Sequence, residues 1–168
     1  MSLDYSHRCT TSAPQQHRVF ARQLQGAVCL KKPLLIYCRE ADKDMLYFLK
    51  KYVPPDYKIH WHCFIGSYAT IEPFLKYFPN LFVGFTGIVT YVTAGEVREA
   101  LKKIPLERIL VESGAPYFLP HGVSKILFRR SHPGLALYTV HEIARVKGQS
   151  VSHTLTTLPG NTCRIYNV

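Results

Sequence analysis

The sequence lacks the features that mark secreted and membrane-spanning chains. No apolar run approaches the roughly 18 residues that a membrane-spanning helix requires, so no such helix is predicted. Polar residues follow Met1 at once, where a secretory signal would place its apolar stretch. The five cysteines are an odd number and contain no CxxC pair. These absences favour a reduced intracellular protein, cytoplasmic or nuclear, without a membrane partner.

Acidic residues are also scarce. The 168 residues include 11 Asp and Glu against 21 Lys and Arg, which gives a net charge of +10. A basic surface attracts polyanions, and DNA is the partner that this charge suggests first. The basic pairs are scattered along the chain, however, and the alternative is that they form an ordinary solvated surface.

What the sequence does contain is an alternation of short apolar runs and amphipathic stretches. Strands are predicted at 34–37, 58–63, 81–85 and 109–112, with a short extended piece at 88–91. Helices are predicted at 14–32, 42–52, 69–77, 94–104 and 134–147. The stretch at 150–166 also has a helical pattern, but Pro159-Gly160 is expected to break it. This alternation predicts an α/β fold with a parallel sheet, in a single domain over residues 1–168.

Polar side chains stand at or near the ends of the predicted strands. Tyr37, His62 and Glu112 fall there, and Gly84 occupies a similar place. In β/α barrels the active site is built on the loops that follow the carboxyl ends of the strands. The pattern therefore predicts where a site would lie, but not its chemistry.

Several successive motifs surround these strand ends. They are Cys38-Arg39-Glu40-Ala41, His62-Cys63-Phe64-Ile65-Gly66-Ser67, Gly84-Phe85-Thr86-Gly87 and Ala115-Pro116-Tyr117. In this order they resemble the TatD-type metal-dependent deoxyribonucleases over nearly the whole chain, and most of all the vertebrate proteins with a C-terminal TatD domain. The resemblance implies an incomplete TIM-like (β/α) barrel that covers roughly the last five strands and their helices. It also implies a hydrolase centre in which a divalent metal such as Mg²⁺ or Zn²⁺ activates water against a phosphodiester.

Most of the metal ligands that the resemblance implies are missing. Tyr37 stands where the family has a His, Gly114 stands where it has an Asp, and His62 alone is retained. The family's first three strands, with their His-x-His pair, and its ligand Glu would precede Met1. One histidine cannot retain such a metal, which usually has three or more protein or substrate donors. We therefore expect a truncated, catalytically inactive nuclease homologue, a pseudoenzyme without a bound cofactor.

Two alternatives to a functionless homologue follow from the same residues. His60 and His62 are two apart on a predicted strand and face the same side, so with Glu112 they offer a rebuilt metal site and a weak residual nuclease. The plainer interpretation is one inherited ligand beside a polar neighbour. The basic chain would otherwise bind DNA or another polyanion without cleaving it.

An incomplete barrel has a further consequence for the chain itself. Its outermost strands would expose unpaired backbone groups and apolar faces. We expect poor solubility, or self-association through the exposed sheet edges.

Overall fold

A computed structural model describes residues 1–168 and contains five strands and six α-helices. The strands are β1 (Ser2–Asp4), β2 (Leu34–Arg39), β3 (Ile59–Trp61), β4 (Leu81–Phe85) and β5 (Ile109–Val111). The helices are α1 (Ala13–Cys29), α2 (Asp42–Tyr52), α3 (Tyr68–Tyr77), α4 (Gly95–Lys103), α5 (Ala136–Lys147) and α6 (Val151–Tyr166). None of these helices combines the length and apolar character that crossing a membrane requires.

The five strands form one parallel sheet in the order in which they occur along the chain. Parallel strands need crossover connections, and a helix provides each crossover between β1 and β5. Leu35, His60 and Phe82 are register partners across β2, β3 and β4. Strands β1 and β5 pair on one side only, so the barrel is not closed. This architecture confirms the predicted incomplete β/α barrel.

The two faces of the sheet are covered differently. Alternate residues such as Ile59 and Trp61 point outward into a core of 29 buried residues beneath the helices. On the inner face, Phe82 and Leu110 pack with Ile165 of α6 in a separate cluster of three buried residues. Helix α6 therefore covers part of the inner face, while Leu35 on the same face remains 42% exposed.

Two local predictions were wrong. Helix α6 runs through Pro159, because the side chains on both sides of the proline are anchored. Leu158 and Ile165 are buried, and the Asn161 amide donates to the carbonyls of Leu106 and Ile109 at 2.8 and 2.7 Å. These contacts offset the cost of a proline inside a helix.

The second error concerns the piece predicted to be extended at 88–91. Residues Gly87–Thr90 form a 3-10 helix instead. The Thr86 hydroxyl accepts a hydrogen bond from the Ile88 backbone N–H at 3.4 Å and caps this turn. A polar cap just before a short apolar run competes with the extended backbone that the apolar run alone suggests.

Candidate functional site

The carboxylate of Glu112 lies at the centre of a three-residue cluster in the mouth of the open barrel. His60 is on β3, His62 follows β3, and Glu112 follows β5. Glu112 Oε1 lies 2.5 Å from His60 Nε2, and Glu112 Oε2 lies 2.8 Å from His62 Nδ1. The carboxylate therefore bridges the two rings, and the structure brings together all three residues of the predicted rebuilt site.

Strand β4 lies between β3 and β5, and Gly84 makes room for this bridge. A Cβ atom built on Gly84 would lie 1.7 Å from Glu112 Oε1 and 2.6 Å from His60 Nε2. No side chain fits at this position while the cluster is intact. The absence of a Cβ on the middle strand is thus what allows residues from its two neighbours to meet.

The charged groups of the cluster stabilise one another. Burial raises the pKa of the Glu112 carboxyl, but the hydrogen bonds from His60 and His62 and their charges outweigh it and lower the pKa to about 2. The hydrogen bond to Glu112 raises the pKa of His62 against the opposing effect of burial. The backbone N–H of Cys63 donates to Glu112 Oε2 at 3.2 Å. The carboxylate is therefore bound by two histidine rings and one backbone N–H.

The two histidines differ in the donor capacity that they retain. His60 is 6% exposed, and its second ring nitrogen, Nδ1, lies 2.6 Å from the Tyr166 hydroxyl on α6. Both nitrogens of His60 are therefore occupied. The side chain of His62 is 40% exposed, and only its Nδ1 is bound to Glu112. His62 is the member of the cluster that remains accessible from the mouth.

Tyr37 and Gly114, the residues at the two other positions where the resemblance predicts ligands, do not fit a metal. Tyr37 lies beside His62, with ring centroids 6.3 Å apart, and burial raises the pKa of its phenol, which stays protonated. Gly114 has φ +62°, and a Cβ built there would lie 2.6 Å from Phe118 Cδ2. The loop has a conformation that favours glycine, so an Asp at this position would require it to rearrange.

His60, His62 and Glu112 could instead form a rebuilt metal site. The ligand atoms of His60, His62 and Glu112 all lie within 4.8 Å of one another, which is a spacing that a metal ion can bridge. The prediction that no cofactor is bound therefore gains no support from the geometry. A metal would have to displace the hydrogen bonds that now join the three side chains.

Sequence reasoning missed two residues of the cluster. Tyr166 belongs to α6 and had no pattern that linked it to His60, which is 106 positions away. Gly84 was noted at a strand end without a role. A glycine at a buried position of a central strand is itself a signal, because it often marks close approach of other atoms.

Fold and site together define a β/α-barrel protein with a histidine- and carboxylate-containing cluster at the carboxyl ends of its strands. The sequence profile described as TatD related DNase matches residues 1–167. The chain therefore belongs to the family of TatD-related DNases.

Individual relatives support this assignment. The chain is 65% identical over 168 residues to the human "3'-5' RNA nuclease TATDN2", covering 100% of this chain and 22% of the human protein. It is 28% identical over 168 residues to the "3'-5' ssDNA/RNA exonuclease TatD" of Escherichia coli K12, covering 99% of this chain and 64% of the enzyme. The chain thus spans less than two thirds of these relatives.

Solved structures agree on the fold. The TatD homologue YJJV of E. coli K12 superimposes with a TM-score of 0.84 at 23% identity, over 100% of this chain and 62% of that structure. A TatD-family hydrolase from Entamoeba histolytica gives a TM-score of 0.82 at 19% identity, over 99% of this chain and 61% of that structure. The predicted fold and family are confirmed.

Proposed function

We propose that residues 1–168 form a single partial TatD-like domain that binds nucleic acid and does not cleave it through the inherited metal centre. One observation carries the loss of cleavage. The retained ligand, His62, donates to Glu112, while Tyr37 and Gly114 supply no metal donor. A water nucleophile needs a metal with several fixed ligands to be activated near neutral pH.

Nucleic-acid binding is supported by charge and by kinship. The chain has a net charge of +10, and polyphosphates bind such surfaces by releasing counterions. The relatives named above are nucleases of RNA or of single-stranded DNA and RNA. Under this proposal the chain still binds the nucleic acids on which its relatives act, but it does not carry out the hydrolysis that requires a metal.

Cleavage is tested with 5'-labelled single-stranded DNA and RNA in Mg²⁺, Mn²⁺ or Zn²⁺, with the E. coli relative as the positive control. We expect no shortened product from this chain. Metal-dependent product that disappears in His62→Ala but persists in His153→Ala, an exposed histidine of α6, would overturn the proposed inactivity.

Binding is tested by fluorescence anisotropy of a labelled single strand. We expect the logarithm of the binding constant to fall linearly with the logarithm of the salt concentration. The slope is proportional to the number of phosphates that the protein neutralises. Absence of binding at about 50 mM salt, where electrostatic binding is strong, would contradict the proposed function.

The second candidate function is a residual metal-dependent nuclease, and the 4.8 Å spacing of the His60, His62 and Glu112 donors favours it. It predicts that Zn²⁺ raises the melting temperature of the wild-type chain and not that of His60→Ala. Equal melting temperatures with and without Zn²⁺ in the wild-type chain would remove this candidate.

The remaining parts of the proposal concern state and place. Strands β1 and β5 each have one unpaired side, which supports self-association through the sheet edges. Sedimentation that shows a monodisperse monomer at all concentrations would overturn this. Five free thiols support a reducing intracellular compartment, cytoplasmic or nuclear. Fractionation of cells that make the protein tests that location.

A further inference from the structure

A second group of polar residues lines an open cleft of about 480 Å³ where β1, β2 and β3 end. Ser6 and Arg8 follow β1, Arg39 ends β2, and Gly66 and Thr70 belong to the approach and first turn of α3. We name this group the arginine cleft. It does not include His60, His62 or Glu112, but it adjoins them, because Arg39 contacts Tyr37 beside His62.

Neither arginine of the cleft forms an ion pair, although burial of the Asp4 carboxyl is outweighed by hydrogen bonds from Ser6 and by the nearby charge of Arg39, which together lower its pKa. The five ion pairs of the structure involve His17, His60, His62, Lys76 and Arg145. Neither Arg8 nor Arg39 is among them, although both line the same cavity. The Arg39 guanidinium lies 5.6 Å from the centre of the Tyr37 ring, a cation–π contact that leaves its N–H groups available. Two unpaired guanidinium groups in one cleft are a ready site for an oxyanion.

A buried hydroxyl in the cleft provides the second observation. Ser6 is 5% exposed, and its Oγ makes no hydrogen bond of good geometry, although the Asp4 carboxylate lies beside it and accepts the Ser6 backbone N–H at 2.9 Å. An unpaired buried hydroxyl costs roughly 1–3 kcal/mol, so such groups normally have a partner. Ser6 lines the cavity, and an oxygen atom of a ligand there would accept its proton. A ligand oxygen in the cleft would therefore compete with the Asp4 carboxylate for the proton of this hydroxyl.

Helix α3 adds a favourable field on the same side. It has 10 residues, and its N-cap Ser67 directly follows Gly66 of the cleft. The N-terminal end of a helix carries a partial positive charge and favours anions. This end of α3 therefore acts in the same direction as the two arginines.

Two carboxylates also line the cleft and oppose an anion. Glu40 is exposed, so water and salt screen its charge. Asp42 is in the first turn of α2, where the helix dipole offsets its charge, and it accepts a hydrogen bond from Cys38 Sγ at 3.6 Å. Asp4 is a third carboxylate close to Arg39, so the inference rests on the guanidinium N–H groups that remain free of ion pairs and not on an excess of positive charge.

We propose that the arginine cleft binds a phosphate group of a nucleic-acid strand. Arg8 and Arg39 would pair with its non-bridging oxygens, and Ser6 Oγ would donate a hydrogen bond to one of them. Arginine suits this role because its planar fork matches phosphate geometry. The inference rests on the proposed nucleic-acid binding and names the residues that carry it.

The main test compares charge-neutralising variants by anisotropy of a fluorescein-labelled 12-nucleotide single strand. Arg39→Gln and Arg8→Gln should each weaken binding about tenfold and reduce the salt slope by about one. Arg22→Gln, which removes the same charge from an exposed position of α1, should change affinity less than about twofold. Equal losses in Arg39→Gln and Arg22→Gln would overturn the assignment of the cleft, while the proposed function would stand.

Ser6→Ala separates a ligand-binding role from a structural one. Removing the buried hydroxyl should change the melting temperature little, since the Ser6 backbone N–H keeps its 2.9 Å hydrogen bond to Asp4. The same variant should weaken strand binding about tenfold or more, as expected for one hydrogen bond to a charged group. Unchanged affinity in Ser6→Ala would contradict the predicted contact.

The source of the phosphate is resolved by changing the probe. Strands with and without a terminal phosphate distinguish an end group from an internal diester. If the wild-type chain does not bind the strand, the proposed function fails. Inorganic phosphate, followed by NMR shifts of the Ser6 and Arg39 amides, then tests the cleft alone. Shifts at these amides would support a free-phosphate site, and their absence would overturn the cleft as well.

Discussion

The cluster around Glu112 and the arginine cleft lie at the same end of the sheet but treat their charges in opposite ways. In the cluster, Glu112 is held by His60 and His62 at 2.5 and 2.8 Å, and the ionisable groups satisfy one another. In the cleft, Arg8 and Arg39 line a cavity without an ion-pair partner.

The difference shows how a site can change its role while its frame persists. A carboxylate saturated by neighbouring donors stabilises the fold and has little capacity left for a ligand. Arg39 contacts the Tyr37 ring but forms no ion pair, so its N–H groups remain available to a ligand. Under the proposals made above, the cluster around Glu112 acts as a structural element in this chain, and the neighbouring loops bind the ligand.

Gly84→Ala should have the largest effect on the Glu112 cluster, because the new Cβ would lie 1.7 Å from Glu112 Oε1. The carboxylate must leave both histidines, and we expect the free energy of unfolding to fall by about 3 kcal/mol. Urea denaturation measures it. Gly160→Ala in α6 is the control, since its Cβ meets nothing within 4 Å, and it should stabilise by about 0.5–1 kcal/mol. Similar behaviour of the two variants would argue against a tight cluster.

Glu112→Gln should lower the free energy of unfolding by about 2 kcal/mol at neutral pH, because one charged acceptor of two hydrogen bonds is lost. Its effect on pH dependence is more specific. Glu112 has an ordinary pKa of 4.5 when unfolded and about 2 when folded. The unfolded chain therefore binds more protons between these values, and stability contributed above pH 4.5 is lost as the pH falls towards 2.

The wild-type chain should thus lose stability through this acid window, and Glu112→Gln should show a flatter profile there. Denaturation at a series of pH values measures both curves. Glu99→Gln, at an exposed position of α4, is the matched control and should follow the wild-type profile. An acid profile that is unchanged in Glu112→Gln would show that the carboxylate is not held as the structure indicates.

Tyr166→Phe should have a smaller effect, because it removes only the hydroxyl that lies 2.6 Å from His60 Nδ1. We expect a loss of about 1 kcal/mol in the free energy of unfolding. Tyr138→Phe in α5, where the tyrosine is 45% exposed, should be neutral in the same assay. A loss in both variants would indicate a general effect of the hydroxyl and not a specific link between α6 and the cluster.

Arg39→Gln should have the smallest effect on stability, which would show that the cleft contributes less to the fold than the Glu112 cluster does. The guanidinium has no ion-pair partner to lose. We therefore expect the free energy of unfolding to change by no more than about 0.5 kcal/mol. Thermal denaturation followed by circular dichroism measures it. A destabilisation as large as that of Glu112→Gln would show that the arginine is structural and that the contrast between the two regions is false.

Much of the fold was predictable because it depends on local pattern. Strand β4 was predicted at 81–85 and is observed at Leu81–Phe85, and α2 was predicted at 42–52 and is observed at Asp42–Tyr52. Continuous apolar runs and amphipathic periodicity specify such elements with little help from remote residues. The continuation of α6 through Pro159 was not predictable in this way, since Asn161 and Leu158 are anchored by β5 and the core.

The candidate site divides along the same line. The proximity of His60, His62 and Glu112 was an alternative from sequence, because parallel strands bring their carboxyl ends to one edge. The contribution of Gly84 and Tyr166 was not foreseen. Neither was the unpaired hydroxyl of Ser6, since whether a hydroxyl finds a partner depends on loops that meet only in three dimensions.

The sequence by itself determined the family and the alternation of strands and helices, and it put Tyr37 and Gly114 where the resemblance predicts metal donors, because these follow from residue identity and spacing. Only the tertiary structure decided that Glu112 bridges two histidines while Arg39 stays unpaired. Charge pairing falls steeply with distance and burial, and residues more than 50 positions apart acquire those distances only through the packing of the whole sheet.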